Sequence, residues 1–161
     1  MSTAACALAA RAAWARVGAV LIAVLVVDQV VKQIVNSAVD RGQEETIAGG
    51  FKIVNARNTG VAFGQLQDGG VILTLVIVVA IVGLLVFFAR QATRRWMWLP
   101  TGLLLGGALG NIADRVREGA VVDFIKLPHW PAFNLADASI TIGVVVLLLV
   151  MDRGDGARRS S

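Results

Sequence analysis

The sequence predicts an all-α membrane protein with four transmembrane helices and a small β element outside the bilayer. Of its 161 residues, 57% are hydrophobic and only 16% are charged, which is too few charged residues to cover the surface of a soluble domain of this size. Two uncharged runs, residues 71–89 and 96–113, each approach the roughly 20 residues that a helix needs to cross a bilayer. We predict that these runs are the second and third spans.

The first and fourth spans are predicted at residues 14–35 and 134–151, and both contain charged residues. Asp28 and Lys32 lie in the first of them, and Asp137 lies near the start of the other. Charged side chains in a span either extend to the membrane surface or serve a function. The two segments are therefore interpreted as spans with functional ends.

A small β element is predicted at residues 36–69, between the first and second helices. Gly49 and Gly50 separate a polar stretch from the alternating "FKIVN", and such alternation is typical of a strand with one buried face. We expect this element to rest on the outer leaflet. The whole chain, residues 1–161, is predicted to be a single membrane domain.

The distribution of charge predicts the orientation. Four spans place both termini on one side, and the segments there contain eight arginines against only two acidic residues, Asp152 and Asp155. The arginines are Arg11, Arg16, Arg90, Arg94, Arg95, Arg153, Arg158 and Arg159. By the positive-inside rule both termini are cytoplasmic. The net charge of +4 then reflects topology, and no nucleic-acid partner is expected.

Glycines recur every four residues in the third span, at positions 102, 106 and 110. This spacing places them on one helical face, where a neighbouring helix can approach closely. Helix packing is the better explanation for Gly102. For Gly106, Gly107 and Gly110, packing competes with a second use, which is to leave room for a substrate near the outer end.

Three carboxylates, Asp114, Asp123 and Asp137, lie near the outer ends of the third and fourth spans. Asp137 opens the fourth span, where the helix dipole favours negative charge. A second acid nearby would allow the two groups to share one proton. An aspartic protease needs this arrangement, because one acid deprotonates water while the other donates to the scissile carbonyl.

Asp123 is the better partner for Asp137. Asp114 directly precedes Arg115 and has Asn111 one turn back, so it has local partners for a positioning role. Asp123 lies in "AVVDFI", a β-branched and aromatic run that favours an extended strand. We therefore pair Asp123 with Asp137 and expect Asp114 to support them.

The remaining polar residues favour structural roles. Asp28 and Lys32 are one helical turn apart, and a buried pair of this kind is more often a helix-stabilising contact than a catalytic one, with a supporting role in the site as the alternative. His129 is the only histidine, and the single cysteine, Cys6, is predicted to lie across the membrane. Neither a metal site nor a cofactor is expected.

Five motifs in order along nearly the whole chain resemble those of lipoprotein signal peptidase, also called signal peptidase II. They are "DQVVK", "RNTGVAFG", "GGALGNIADR", "VVDFI" and "FNLAD". The resemblance implies an aspartic endopeptidase of the bacterial plasma membrane, which cleaves diacylglyceryl-modified prolipoproteins just before the lipidated cysteine. Its partners would be these prolipoproteins and membrane lipids, and its site would face the extracytoplasmic side.

The resemblance also assigns residues. The catalytic dyad falls on Asp123 and Asp137. Five further family positions are present and are expected to hold the substrate backbone and the lipid ester groups: Asn58, Gly60, Asn111, Arg115 and Asn134.

Two alternatives fit the composition. A small transporter or a proton or ion channel would also place carboxylates in membrane helices, but it predicts polar residues through the full bilayer depth. "VILTLVIVVAIVGLLVFFA" has one threonine and no charge. A purely structural membrane protein leaves unexplained the Asn, Asp and Arg residues gathered at one face. No pattern specifies an oligomeric state, and a monomer is consistent with the sequence.

Overall fold

The computed structural model describes residues 3–60 and 69–159. The elements in chain order are α1 (Thr3–Ala38), β1 (Glu44–Ala48), β2 (Phe51–Asn58), α2 (Gly69–Gln91), α3 (Trp98–Glu118), β3 (Val121–Lys126) and α4 (Leu135–Arg159). The protein is thus mostly helical, with a small sheet. Helices α1 and α4 extend well beyond the predicted spans. Residues 61–68 of the predicted β element lie outside the described residues.

Within the described residues, three helices are long and apolar enough to cross a membrane: Thr3–Ala38, Thr74–Gln91 and Leu135–Asp152. Their surfaces expose large apolar side chains, including Val79 (71% exposed) and Leu148 (62%). A soluble protein rarely exposes so continuous an apolar surface, whereas lipid would cover it. These features identify a membrane protein.

Helix α3 is not among those three helices, although the sequence predicted a span there. Its C-terminal half holds Asn111, Asp114, Arg115 and Arg117, which lower its mean hydropathy. The helix packs between α1 and α4, and much of one side of it is buried. Because protein rather than lipid surrounds that side, α3 can carry polar residues there.

The glycines of α3 are packing positions. A Cβ atom added at Gly102 or Gly106 would lie 2.6 or 2.8 Å from side chains of α1. At Gly107 it would lie 2.5 Å from a backbone oxygen of α4, and at Gly110 it would lie 2.9 Å from Asp28 Oδ2. Atoms of α1 and α4 therefore occupy the space beside these glycines, which the alternative interpretation reserved for a substrate. Bare backbone here brings the polar residues of three helices together.

The sheet is antiparallel with the order β1-β2-β3. Gly49 and Gly50, both with positive φ, connect β1 to β2. Strand β3, which lies between α3 and α4, pairs with β2 so that Asp123 is opposite Ala56. The predicted strand around Asp123 is confirmed. The β element is not confined to the segment between the first two helices, because its third strand comes from residues 121–126.

Candidate active site

Asp123 lies in the middle of β3 and is 2% exposed. Its Oδ2 accepts a hydrogen bond from Asn58 Nδ2 (2.9 Å) on the paired strand β2, and its Oδ1 accepts one from Asn134 Nδ2 (2.7 Å). Burial raises the pKa of Asp123 above its ordinary value. The negative charge of Asp137 adds to this increase, and the bonds from the two amides oppose it.

Asp137 is the third residue of α4 and helps to begin that helix. Asn134 Oδ1 accepts from the backbone N–H of Asp137 (2.9 Å), and Asp137 Oδ2 accepts from the backbone N–H of Asn134 (3.2 Å). This reciprocal pair satisfies two N–H groups at the helix start, in the manner of a capping box. The local sequence "NLAD" therefore fixes the position of the Asp137 carboxylate.

Two amides join the two acids. Asn111 Nδ2 donates to Asp137 Oδ1 (2.8 Å), while Asn134 Nδ2 lies 2.7 Å from Asp123 Oδ1 and 3.2 Å from Asn111 Oδ1. Both asparagines are buried. The predicted residues Asn58, Asn111 and Asn134 are thus brought together around the two carboxylates, as donors to them.

A buried ion cluster lies beside this pair. Lys32 Nζ is 2.7 Å from Asp28 Oδ2 and 2.7 Å from Asp114 Oδ2, and all three side chains are almost fully buried. The same ammonium donates to Asn111 Oδ1 (3.2 Å). We call this cluster the Lys32 triad. The predicted Asp28–Lys32 contact is present, and Asp114 joins it from α3.

The Lys32 triad also binds the backbone next to each acid. Asp28 Oδ1 accepts from the N–H of Ala136 (3.0 Å), the residue before Asp137. Asp114 Oδ2 accepts from the N–H of Val122 (3.2 Å), the residue before Asp123. One lysine, through two carboxylates and Asn111, therefore sets the relative positions of β3 and α4.

The partners predicted for Asp114 were wrong. Its carboxylate bonds to Lys32, Gln29 and Val122, and among the described residues it forms no hydrogen bond or ion pair with Arg115 or Asn111. Successive residues of a helix point in different directions, so adjacency to Arg115 was no evidence for a contact. The supporting role expected for Asp114 stays a prediction.

Gln29 is a residue that the sequence analysis missed. Its Nε2 donates to Asp114 Oδ1 (2.8 Å), and its Oε1 accepts from Arg117 Nη1 (2.9 Å). A polar residue within an apolar helix is a general signal of function. Gln29 follows Asp28 directly, so that signal was present in the sequence.

Gly60 and Arg115 each donate a hydrogen bond to an asparagine of the site, Gly60 to Asn58 and Arg115 to Asn111. Gly60, with φ +77°, donates its N–H to Asn58 Oδ1 (2.8 Å), which leaves the Asn58 amide hydrogens for Asp123. Arg115 Nη1 donates to the carbonyl of Asn111 (3.3 Å). Its buried Nε has no hydrogen-bond partner among the described residues.

The described residues contain no group of three His, Cys, Asp or Glu side chains placed to hold a metal ion. An apolar groove of about 340 Å³ lies between α1 and the first turns of α4. Val24, Val27, Leu135 and Ile142 are among its lining residues. Val27 and Ile142 are more than half exposed, so lipid would reach the groove.

Comparison with known proteins identifies the relatives of this chain. The sequence profile of the family described as signal peptidase (SPase) II matches residues 20–152. The lipoprotein signal peptidase of Halothermothrix orenii is 37% identical over 133 residues, which are 82% of this chain and 92% of the relative. That of Pseudomonas fluorescens is 41% identical over 140 residues, which are 80% and 82% of the two chains.

The fold is similar to that of a solved bacterial membrane enzyme, determined by the in meso method at 1.9 Å resolution. The TM-score is 0.78 with 32% sequence identity, and the match covers 84% of this chain and 91% of the other. A second structure of a bacterial membrane enzyme, at 2.3 Å resolution, gives a TM-score of 0.76 with 31% identity.

Proposed function

The chain belongs to the signal peptidase II family and is a peptidase of lipoprotein signal sequences, and we propose that Asp123 and Asp137 are its catalytic aspartic dyad. The observation that carries the proposal is the amide bridge through Asn134 and Asn111, which places both carboxylates in one hydrogen-bonded network. The channel alternative has no comparable support, since the relatives are named as peptidases.

The environments of the two acids suit different roles. Burial raises the pKa of Asp123, so Asp123 is suited to hold the shared proton and to donate it to the scissile carbonyl oxygen. Asp137 lies at the start of α4, where N–H groups stabilise negative charge. It is suited to be the ionised base, although the proton belongs to the pair rather than to either residue.

The reaction then proceeds in two steps. Asp137 accepts a proton from water as the water oxygen bonds to the carbonyl carbon, while Asp123 stabilises the developing oxyanion. The carbon–nitrogen bond next breaks, and the amine leaving group receives a proton from the dyad. The products are a signal peptide with a new carboxylate and a lipidated cysteine with a free amino group. We assign to Arg115, whose Nη1 bonds the carbonyl of Asn111 beside the dyad, the binding of substrate oxygen atoms.

All four helices cross the membrane in this proposal. Both termini lie in the cytoplasm, and the dyad lies near the extracytoplasmic face of the bacterial plasma membrane. The arginines near both termini and in the α2–α3 connection support this orientation. Helix α3 is the fourth membrane-crossing helix in this proposal, because α1 and α4 shield its polar side from lipid.

The substrate enters from the bilayer. The apolar groove between α1 and α4 borders Leu135 and Ala138, which are two and one residues from Asp137. Acyl chains in this groove would remain in an apolar environment while the peptide bond reaches the dyad. Binding of the lipid would then hold the scissile bond in position, which reduces the entropy cost of the reaction.

The test is a cleavage assay with the purified full chain and a diacylglyceryl-modified prolipoprotein. Asp123→Asn and Asp137→Asn should each lower the rate by at least about 10³-fold, because a proton-transfer group is lost. The exposed Asp40 provides the matched control, and Asp40→Asn should cleave at the wild-type rate. Substantial turnover by either dyad variant would overturn the assignment.

The same assay with the unmodified prolipoprotein tests the substrate class. We expect cleavage of the lipidated form only. Equal cleavage of both forms would reject lateral entry of a lipid-modified substrate but would leave the dyad assignment intact.

A further inference from the structure

The end of the bundle away from the carboxylates carries an unexplained cluster of arginine and tryptophan side chains. Arg16 lies sixteen residues before Lys32 in α1, about 24 Å along the helix. Trp98 begins α3, whose other end carries the carboxylate-binding residues. The cluster is therefore remote from the proposed catalytic chemistry, and membrane topology alone does not explain why its arginines pack on tryptophan rings.

Two arginines of the cluster pack against aromatic rings. The guanidinium carbon of Arg16 lies 5.9 Å from the centre of the Trp98 ring, and that of Arg95 lies 5.7 Å from the centre of the Trp96 ring. The two tryptophan rings are 5.8 Å apart. Such contacts hold a guanidinium in place while leaving its hydrogen-bond donors available.

Neither arginine has a carboxylate partner. Among the described residues, no Asp or Glu oxygen lies within the 4.0 Å of an ion pair from Arg16 or Arg95. Arg94 differs from them, because its Nη2 donates to the carbonyls of Val150 (3.0 Å) and Met151 (2.7 Å) of α4. The connection between α2 and α3 thus uses one arginine to bind the protein and presents another without a counter-charge.

The two unpaired arginines line one groove, of about 480 Å³, between α1 and the α2–α3 connection. Ala9, Ala12 and Ala13 of α1, the helix that also carries Arg16, form an apolar wall of the groove. The groove therefore has a cationic part and an apolar part. Trp96 also lines it, with a left-handed backbone (φ +67°) and a half-exposed side chain. A conformation that non-glycine residues rarely adopt is frequently found at binding sites.

We propose that this groove binds an anionic phospholipid. The headgroup phosphate interacts with Arg16 and Arg95, and an acyl chain lies along the alanine wall. A free phosphate ion would satisfy the arginines but not the apolar wall, so the lipid is the better match. Tryptophan at the level of the headgroups is typical of membrane proteins, and basic residues near a membrane surface select anionic lipids.

The test compares two lipids with identical acyl chains, phosphatidylglycerol and phosphatidylcholine, by native mass spectrometry of the full chain released from detergent micelles. Wild-type protein should retain phosphatidylglycerol in preference. Each basic residue near an anionic surface strengthens binding about fivefold, so the double variant Arg16→Gln, Arg95→Gln should bind this lipid about 25-fold more weakly. The matched control is Arg11→Gln, Arg90→Gln, which removes two exposed arginines outside the groove and should bind within about fivefold of wild type.

Any one of four results would overturn the proposal. Wild-type protein could retain both lipids equally, or the control variant could lose as much binding as the groove variant. In thermal melts of the wild-type protein, inorganic phosphate could raise the Tm as far as phosphatidylglycerol does. The double variant Arg16→Lys, Arg95→Lys guards against misfolding, because it keeps both charges. It should retain binding within about fivefold of wild type, and a loss as large as that of the glutamine variant would also contradict the proposal.

Discussion

The Asp123–Asp137 pair and the Lys32 triad lie side by side and share Asn111. The carboxylates of the two clusters are stabilised by different groups. Amide groups surround the two carboxylates of the pair. The two carboxylates of the triad instead flank one ammonium group at 2.7 Å each. Each cluster contains two acids, and only the triad contains its own positive charge.

This difference separates chemistry from positioning. A lysine between two carboxylates forms an ion pair with each of them, which offsets part of the cost of burying the group. Amides bind a carboxyl group without supplying a charge, so that the group can gain or lose a proton. In the proposed mechanism the pair exchanges a proton with the substrate, while the triad provides a fixed frame. Its bonds to Ala136 and Val122 transmit that frame to the residues next to the pair.

Removal of the lysine should have the largest effect on stability. Lys32→Met leaves Asp28 and Asp114 buried without a counter-charge, which should cost about 3–5 kcal/mol of the free energy of unfolding. Denaturation of the protein in detergent measures this loss. Lys52→Met is the matched control, since Lys52 pairs with Glu44 at the surface, and it should cost less than about 1 kcal/mol.

A Lys32→Met protein as stable as wild type would remove the proposed distinction between the two clusters. Asp123→Asn is the complementary variant. Both oxygens of Asp123 accept hydrogen bonds from amides, so the variant places one NH2 group against another donor and should lose about 1–3 kcal/mol of the free energy of unfolding, less than Lys32→Met. Its cleavage rate should nevertheless fall by at least about 10³-fold.

Local sequence spacing predicted parts of both clusters. The i,i+4 spacing of Asp28 and Lys32, the helix start at Asp137 and the strand around Asp123 are all local patterns, and each is confirmed. The contact between Lys32 and Asp114 joins residues far apart in sequence. It depends on how closely α1 and α3 approach at Gly106 and Gly110, which no local pattern specifies.

The pairing of β3 with β2 was missed for the same reason. The two strands are separated by two helices, and nothing in either strand alone identifies its partner. For Asp114 the error was the reverse. Residues close to it in sequence were predicted to be its partners, whereas its carboxylate bonds to residues of other elements.

Asp114→Asn should reduce the cleavage rate between about 10- and 100-fold, because the backbone at Val122 would shift and displace Asp123. An asparagine keeps one oxygen acceptor, so some activity remains. Steady-state kinetics should show a lower kcat with a smaller change in KM. A loss as complete as that of Asp123→Asn would instead place Asp114 among the groups that transfer protons.

Stability should depend on pH through Asp123. Its pKa is raised from the ordinary 3.8 by burial, so the folded protein holds this proton more tightly than the unfolded chain. The free energy of unfolding should therefore decrease as pH rises from about 3.8 through the raised value. Melting curves at several pH values should show that Asp123→Asn lacks this component. Parallel curves for the two proteins would contradict it.

The exposed ion cluster of the sheet should show the smallest effect, and one of opposite sign. Glu44 accepts hydrogen bonds from Lys126 (2.8 Å) and Lys52, and these bonds lower the pKa of Glu44 from 4.5 to about 2. Its contribution to stability is therefore complete above pH 4.5 and is lost as pH falls toward 2. Because the group is exposed to solvent, Glu44→Gln should lower Tm only slightly at neutral pH, about 1 M salt should remove the difference, and cleavage should not change. A salt-independent loss as large as that of Lys32→Met would show that burial does not distinguish these ion clusters.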